Sequence, residues 1–370
     1  MSSTPRKRPA PDALVAGAVV AILIALVLAV FLSGWGASLY PPEAATSQGR
    51  EIRGLYDIVF AVAIAIFVVV EGLIVWSVLR YRRRPGDNEL PAQTHGNNVA
   101  EVIWTLVPTV IVLFLFVISW QTLNSVDAVS AQPDVRIRAI AGQFQWQFEY
   151  LDGNGTKVAT QLAPEYNQDT GEGGMAVPVG RSVQVALDSP DVIHAFYVPR
   201  FLFKRDVVPG QTNRFEFTVD PKEAGQFFRG QCAELCGAGH GSMLFTVRAL
   251  SPADYDTWLQ ALIAKSNATP APLPSGTVLN VTAREIAFDT KALEVPADTP
   301  FAIAFQNQDP SGVTHDIDIR DANGNVLANQ EPINGGTSTN YTYEGLPAGT
   351  YTFICAIHPI PAMTGTLTVK

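Results

Sequence analysis

Residues 231–243 read QCAELCGAGHGSM, so one short loop carries two thiols, an imidazole and a thioether, at Cys232, Cys236, His240 and Met243. Thiolate and thioether donors select copper(I), zinc or an iron–sulfur cluster, and the addition of imidazole and Met favours a copper that transfers electrons. The loop therefore predicts a soft-metal site held by the surrounding fold.

A second cluster lies near the end of the chain, where residues 355–363 read CAIHPIPAM and offer Cys355, His358 and Met363. The sequence contains only 3 Cys, 5 His and 4 Met, and the two clusters use every Cys, two His and two Met. An odd number of Cys, all in ligand-like loops, favours metal binding over disulfides.

The two clusters share one plan along the sequence. His194 stands 38 residues before Cys232, and His315 stands 40 residues before Cys355. In both cases an Ala-Gly turn leads into a strand that ends at the Cys. This repetition predicts two related copper-binding sandwiches, although a single zinc bound by His194, Cys232, Cys236 and His240 remains the competing metal for the first site.

Composition indicates a membrane anchor, since 47% of residues are hydrophobic and only 16% are charged. Apolar runs cover residues 13–32, 58–79 and 102–120, each close to the roughly 20 residues that span a bilayer. Residues 1–121 are therefore predicted to form the anchor. The first run is either a retained helix or a cleaved signal peptide.

Basic residues fix the expected orientation of the anchor. They precede the first run at positions 6–8 and follow the second at positions 80–84, which places both segments on the cytoplasmic side. Everything after the third run then lies outside. This external part has 26 Asp and Glu against 16 Lys and Arg from residue 122 onward, which argues against a nucleic-acid partner.

After the anchor, segments of alternating apolar and polar residues predict a half-buried antiparallel β-sandwich over residues 122–264, closed by a short helix that begins after Ser251. A Pro-rich linker is expected over residues 265–276. A second small sandwich follows over residues 277–370. The predicted fold class is membrane-anchored all-β, with N-terminal transmembrane helices and two sandwiches.

Residues 50–264 resemble subunit II of the haem–copper cytochrome c oxidases, a two-helix hairpin followed by a cupredoxin domain. The matching stretches are EVIWTLVP at 101–108, DVIH at 191–194, KRDVVPG at 204–210 and the loop at 231–243. The resemblance implies a binuclear copper A centre, bridged by the two thiolates and completed by the other donors: Cys232, Cys236, His194, His240, Met243 and the carbonyl of Glu234. It also implies that the Glu234 carboxylate reaches a magnesium ion at the contact with subunit I.

Residues 277–370 resemble the blue copper proteins of the plastocyanin and auracyanin kind, whose Cys-x-x-His-x-x-x-x-Met loop the chain reproduces. The resemblance implies a cupredoxin domain with one type 1 copper, bound by His315, Cys355, His358 and Met363.

Two further residues receive roles from the subunit II resemblance. Glu101 matches a glutamate at the mouth of a proton channel, and its alternative role is a helix start favoured by the helix dipole. Phe144 takes the position of the Trp that accepts electrons from cytochrome c, and its alternative role is a core aromatic of its strand. The Phe fits a donor that docks differently.

The sequence thus predicts the subunit through which electrons enter a respiratory terminal oxidase in a prokaryotic plasma membrane. The chain crosses the membrane more than once, with both copper domains on the periplasmic side. Its expected partners are subunit I with haem and copper B, subunit III, and cytochrome c or a small blue copper protein as donor. The alternatives are the corresponding subunit of a copper A nitric oxide reductase and a membrane-anchored copper carrier or assembly factor.

Overall fold

The structure, a computed structural model, describes residues 40–81, 95–162, 174–267 and 276–370, together with isolated helical positions between residues 17 and 29. Most of the predicted run 13–32 and of the Pro-rich linker lies outside the described residues. The chain divides into two compact units, an N-terminal helical unit and a β-rich unit that extends from Asp127 to Lys370 and includes Ala45–Ser47.

Within the part of the helical unit that the structure describes, there are two long helices, α1 (Ser47–Tyr81) and α2 (Asn98–Val126). Both are long and apolar enough to cross a membrane, and their most apolar windows are entirely unburied within the chain. Such surfaces require lipid or another protein around them. Each helix is longer than the apolar run that predicted it, because polar residues continue a helix beyond the hydrocarbon layer.

The described residues of the β-rich unit form two sandwiches and one α-helix. In the first sandwich the described residues form ten strands: β1 (Val135–Gly142), β2 (Gln145–Leu151), β3 (Lys157–Leu162), β4 (Met175–Pro178), β5 (Ser182–Asp188), β6 (His194–Val198), β7 (Phe203–Val207), β8 (Asn213–Thr218), β9 (Phe227–Cys232) and β10 (Leu244–Leu250). They form two five-stranded sheets, in the orders β3-β2-β1-β5-β8 and β4-β10-β9-β6-β7.

Helix α3 (Pro252–Ser266) follows the first sandwich and begins as the sequence predicted. The Ser251 hydroxyl accepts a hydrogen bond from the Asp254 N–H at 3.2 Å, which caps the helix N-terminus. The helix buries Tyr255 and Leu262. It continues through Ser266, so the first two residues of the predicted linker are helical.

The second sandwich has eight strands: β11 (Thr277–Ala283), β12 (Ala292–Val295), β13 (Phe301–Asn307), β14 (Asp318–Arg320), β15 (Val326–Ala328), β16 (Thr337–Tyr343), β17 (Gly349–Ile354) and β18 (Thr364–Val369). Three strands form the sheet β11-β13-β16, and five form the sheet β12-β18-β17-β14-β15.

The sheets are mixed, whereas the alternating pattern predicted antiparallel ones. Strands β1 and β5 pair in parallel, as do β4 and β10, β11 and β13, and β12 and β18. Alternation reports which faces of a strand are buried and carries no information on strand direction. The prediction of half-buried strands also fails for β2, which is buried at six successive positions.

Aromatic side chains fill the first core between its two sheets. Trp146, Phe148, Phe196 and Phe245 are fully buried and in mutual contact, with Phe196 and Phe245 centroids 4.8 Å apart. Large buried rings contribute much of the apolar area of a small domain. This packed core fixes the strand ends from which the candidate ligands project.

Candidate metal centres

One pair of strands, β6 and β9, and the loop after β9 position the first cluster. His194 is the first residue of β6 and Cys232 the last of β9, and these strands are paired in the sheet, with Phe196 opposite Cys232. The loop after β9 then turns back, and the Cys232 N–H donates to the Met243 carbonyl at 3.0 Å. Strand pairing therefore brings the distant His194 to the loop.

The donor atoms of this first cluster lie within a few ångströms of one another. Cys232 Sγ is 3.8 Å from His194 Nδ1 and 3.9 Å from Cys236 Sγ. Cys236 Sγ is 3.6 Å from His240 Nδ1 and 3.9 Å from Met243 Sδ. Donors that share one ion at bond lengths of 2.0–2.3 Å lie roughly 3.5 Å apart, so the separations fit metal binding.

Cys232 and Cys236 are both free thiols. Their ionisation depends on each other, as the pKa values of the two thiols show. Burial opposes ionisation of Cys232, but its contact with His194 lowers the pKa to about 6. Burial and the charge of Cys232 raise the pKa of Cys236 to about 12. Two adjacent buried thiolates repel each other, and a bound metal ion removes that repulsion.

Asp191 orients His194 from the opposite side of the ring. One carboxylate oxygen accepts from His194 Nε2 at 2.8 Å, and the other accepts from the Gln143 N–H at 2.6 Å. Because a carboxylate only accepts, Nε2 carries the proton and Nδ1 turns its lone pair toward Cys232. The motif DVIH pointed to this region, but sequence reasoning gave Asp191 no role.

The second cluster repeats the arrangement with one thiol. Cys355 follows β17, and its N–H donates to the Met363 carbonyl at 3.0 Å, as in the first loop. His315 lies before β14 and bonds the Ile333 carbonyl at 3.1 Å through its own N–H. Cys355, Met363 and both imidazoles are almost fully buried.

The three nearest donors of this second cluster form a triangle. Cys355 Sγ is 3.7 Å from His315 Nδ1 and 3.9 Å from His358 Nδ1, and the two Nδ1 atoms are 3.2 Å apart, so the point equidistant from all three lies about 2.1 Å from each. Typical metal–nitrogen bonds are about 2.0–2.1 Å long. The triangle is therefore the size that a single ion requires.

Hydrogen bonds leave both Nδ1 lone pairs aimed into the triangle. His315 Nε2 is 2.7 Å from Asp309 Oδ2, and His358 Nε2 is 2.7 Å from the Gln143 carbonyl. Both acceptors require the proton on Nε2. Two buried lone pairs that face each other are repulsive unless a cation lies between them, so the donor set fits a metal ion.

Three predicted residues remain, Glu234, Phe144 and Glu101, and Phe144 lies in the turn between β1 and β2, not on a strand. The Glu234 carbonyl is 3.3 Å from Cys232 Sγ, while its half-exposed carboxylate pairs with Lys204 at 3.5 Å. The ring of Phe144 packs against the loop of residues 231–243, where a Cβ added at Gly239 would overlap it. Glu101 lies in the first turn of α2, and its Oε1 is 3.4 Å from the Asn97 N–H.

The fold and the two donor sets define a membrane-anchored protein with two β-sandwiches, each of which contains a buried cluster of candidate metal ligands. Three family profiles match the chain: the transmembrane domain of cytochrome c oxidase subunit II at residues 34–122, its periplasmic domain at 135–250, and the cupredoxin-like domain at 257–369. The chain belongs to the cytochrome c oxidase subunit II family. It is thus the subunit through which electrons enter a terminal oxidase, and its families imply copper binding.

Curated relatives match about two thirds of the chain. The probable cytochrome c oxidase subunit 2 of Streptomyces coelicolor is 35% identical over 254 residues, which cover 60% of this chain and 79% of the relative. The cytochrome c oxidase subunit 2 of Synechocystis sp. is 29% identical over 292 residues, covering 66% and 82%.

Two solved structures are similar to separate parts of the chain. The periplasmic domain of subunit II of cytochrome oxidase from Bradyrhizobium japonicum is 29% identical, with a TM-score of 0.33, and covers 37% of this chain and 99% of its own. Auracyanin B is 28% identical, with a TM-score of 0.24, and covers 28% and 92%.

Proposed function

We propose that the chain holds two kinds of copper centre and that electrons pass from the second sandwich to the first. The observation that carries the proposal is the presence of two buried donor sets in sandwiches that touch, with a ligand of the second set, His358, bonded to Gln143 of the first sandwich. A donor and an acceptor in such contact need no diffusing carrier between them.

The first set is proposed to be the binuclear copper A centre. Cys232 and Cys236 would be the shared thiolate ligands of two coppers, His194 and His240 would be the imidazole ligands, and Met243 and the Glu234 carbonyl would be weak ligands. The separation of 3.9 Å between the two sulfur atoms supports such sharing. The buried Met243 thioether, 3.9 Å from Cys236 Sγ, favours copper over the alternative zinc.

The second set is proposed to be a type 1 copper. His315, Cys355 and His358 would be the strong ligands of this copper, and Met363 would be its weak ligand. The three donor atoms lie 3.2–3.9 Å apart, a triangle of the size that one ion requires, and this supports the assignment. The buried ligands also argue against a copper carrier, because exchangeable carrier sites need access from solvent.

The remaining assignments complete the proposed route. Electrons come from cytochrome c or a small blue copper protein and leave toward the haem of subunit I, beside which subunit III assembles. Glu101 takes part in proton supply, and the Glu234 carboxylate binds magnesium at the subunit I contact. The anchor crosses the plasma membrane more than once and leaves the copper domains outside, with domain limits at 122–264 and 277–370.

Metal analysis of the purified full chain tests the proposal. We expect three coppers per chain, a mixed-valence signal in electron paramagnetic resonance, and a separate blue absorption. One zinc and one copper without the mixed-valence signal would contradict it. Oxygen uptake by the complex, compared with nitric oxide consumption, distinguishes the oxidase from the reductase.

A further inference from the structure

The two sandwiches meet at β1 of the first and the segment after β13 of the second. Gly142 and Gly312 face each other there, and a Cβ added at Gly142 would lie only 3.0 Å from the Gly312 carbonyl oxygen. Gly312 has a φ of 100°, and a Cβ on it would overlap the Ile140 side chain. This close approach of the two backbones needs glycine at both positions.

Gln143, the residue after Gly142, makes hydrogen bonds to both sandwiches. Its carbonyl accepts from His358 Nε2 at 2.7 Å. Its side-chain Nε2 donates to the Cys236 carbonyl at 2.5 Å. The half-buried residue thus contacts a proposed ligand of the second centre and the backbone of a proposed ligand of the first.

A second branch starts from the Gln143 backbone. Its N–H donates to Asp191 Oδ2 at 2.6 Å, and Asp191 Oδ1 accepts from His194 Nε2 at 2.8 Å. This branch consists of the backbone of one residue, one carboxylate and two imidazoles, with hydrogen bonds between them. Electronic coupling falls off less steeply through bonds and hydrogen bonds than through empty space, so both branches favour transfer between the centres.

We infer that the carbonyl and the side-chain amide of Gln143 form the main connection through which electrons cross from the site of His358 to the pair held by Cys232 and Cys236; this inference rests on the proposed function. One electron leaves the single-copper site, whose metal goes from Cu(I) to Cu(II). The two ions of the binuclear site together gain that electron. No bond forms or breaks, and no proton moves between the sandwiches.

The test compares Gln143→Met with the unaltered full chain. Met preserves the length and the backbone carbonyl but removes the N–H donor to Cys236. After rapid photochemical reduction of the second site, we expect the return of the blue absorption, and the matching change in the binuclear band, to slow severalfold. Copper content, both spectra and both midpoint potentials should stay as they are.

A matched control lies at the edge of the same contact. Lys265 of α3 pairs with Glu331 of the second sandwich at 2.8 Å, and both side chains are exposed. Exposed pairs of this kind contribute little, so Lys265→Met should leave the transfer rate unchanged. Gly312→Val should push the sandwiches apart and slow transfer more than Gln143→Met does.

Hydrogen exchange measured on the metal-free full chain distinguishes two roles of Gln143: an electron route between the sandwiches, or a contact that only holds them together. Peptides covering residues 140–146 should remain protected in Gln143→Met and lose protection in Gly312→Val. An unchanged transfer rate in Gln143→Met, with both copper spectra intact, would overturn the inference. Loss of protection in Gln143→Met equal to that in Gly312→Val would also overturn it, because Gln143 would then act in docking alone. Failure of the proposed function would appear separately, as the wrong copper content of the unaltered chain.

Discussion

At the scale of single residues, a carboxylate fixes one imidazole in each sandwich. Asp191 holds His194 at 2.8 Å and Asp309 holds His315 at 2.7 Å, in both cases through Nε2. The same tautomer therefore faces the neighbouring cysteine in both sites. An imidazole held in this way keeps its ring orientation before and after metal binding, which favours rapid electron transfer with little rearrangement.

Asp309→Asn tests this role. The amide retains the size of the side chain but loses the charge that holds the Nε2 proton, so the copper affinity of the second site should fall by about 10–100-fold. Competition with a copper chelator, followed through the blue absorption, measures the change. Asp321→Asn, at an exposed turn of the same sandwich, should leave the affinity unaltered. Equal affinity in both variants would assign Asp309 a purely structural role.

The candidate ligands could be proposed from the sequence because most of them share a loop. Cys232, Cys236, His240 and Met243 lie within twelve positions. The orienting carboxylates were missed, because Asp309 lies six positions before His315 and reaches it only through the turn between them. Nothing in the spacing of an Asp and a His says that their side chains meet.

At the scale of elements, the same closure shapes both ligand loops. Each begins at a Cys whose N–H bonds the carbonyl of the Met that ends it, at 3.0 Å in both cases. The Phe144 ring packs against the first loop and occupies the space that side chains at positions 237 and 239 would need. Glycine at these positions therefore lets an aromatic side chain from the turn between β1 and β2 cover this loop.

Asn97 caps the start of helix α2, and Glu101 takes part in this cap. Asn97 Oδ1 accepts from the Val99 and Ala100 N–H groups at 3.1 Å, and Glu101 Oε1 approaches the Asn97 N–H at 3.4 Å. These bonds satisfy free donors at the helix start. Glu101 thus has a local structural contact in addition to its proposed part in proton supply.

Glu101→Gln separates the two roles. The amide still accepts from the Asn97 N–H but cannot take up and release protons, so oxygen reduction by the complex should slow while both copper spectra persist. Asn97→Ala is the matched control, since it removes the cap, at a cost of about 1 kcal/mol, and keeps the carboxyl group. Oxygen uptake measures both variants. Equal slowing in the two, or none in Glu101→Gln, would leave Glu101 with its structural role alone.

At the scale of the whole molecule, the arrangement of the sandwiches was beyond the reach of sequence patterns. The order of anchor, first sandwich and second sandwich followed from apolar runs and strand alternation. The bond between His358 and Gln143, however, joins residues 215 positions apart in the sequence. It depends on how two finished surfaces fit, which no local periodicity encodes.

The contact places the second sandwich next to Phe144, the residue at the position expected to receive electrons from cytochrome c. His358 bonds the carbonyl of the preceding residue, Gln143. A donor that diffuses would need this surface free. The second sandwich is also acidic, with ten Asp and Glu against four Lys and Arg from residue 277 onward, which favours a donor with a basic face.

Cys355→Ser tests whether the attached sandwich is the donor to the first centre. Loss of the thiolate should abolish the blue absorption and leave the binuclear signal intact, because Cys232 and Cys236 belong to another sandwich. Turnover with the natural donor should fall sharply, whereas turnover with an artificial reductant of the first centre should persist. Oxygen uptake with each reductant measures the two rates on the same complex. Cys355 is completely buried in the core of its sandwich, so thermal unfolding should accompany the assay to show that the variant remains folded. If natural-donor turnover survives in a folded variant, electrons reach the first centre by another surface, and the second copper lies off the main route.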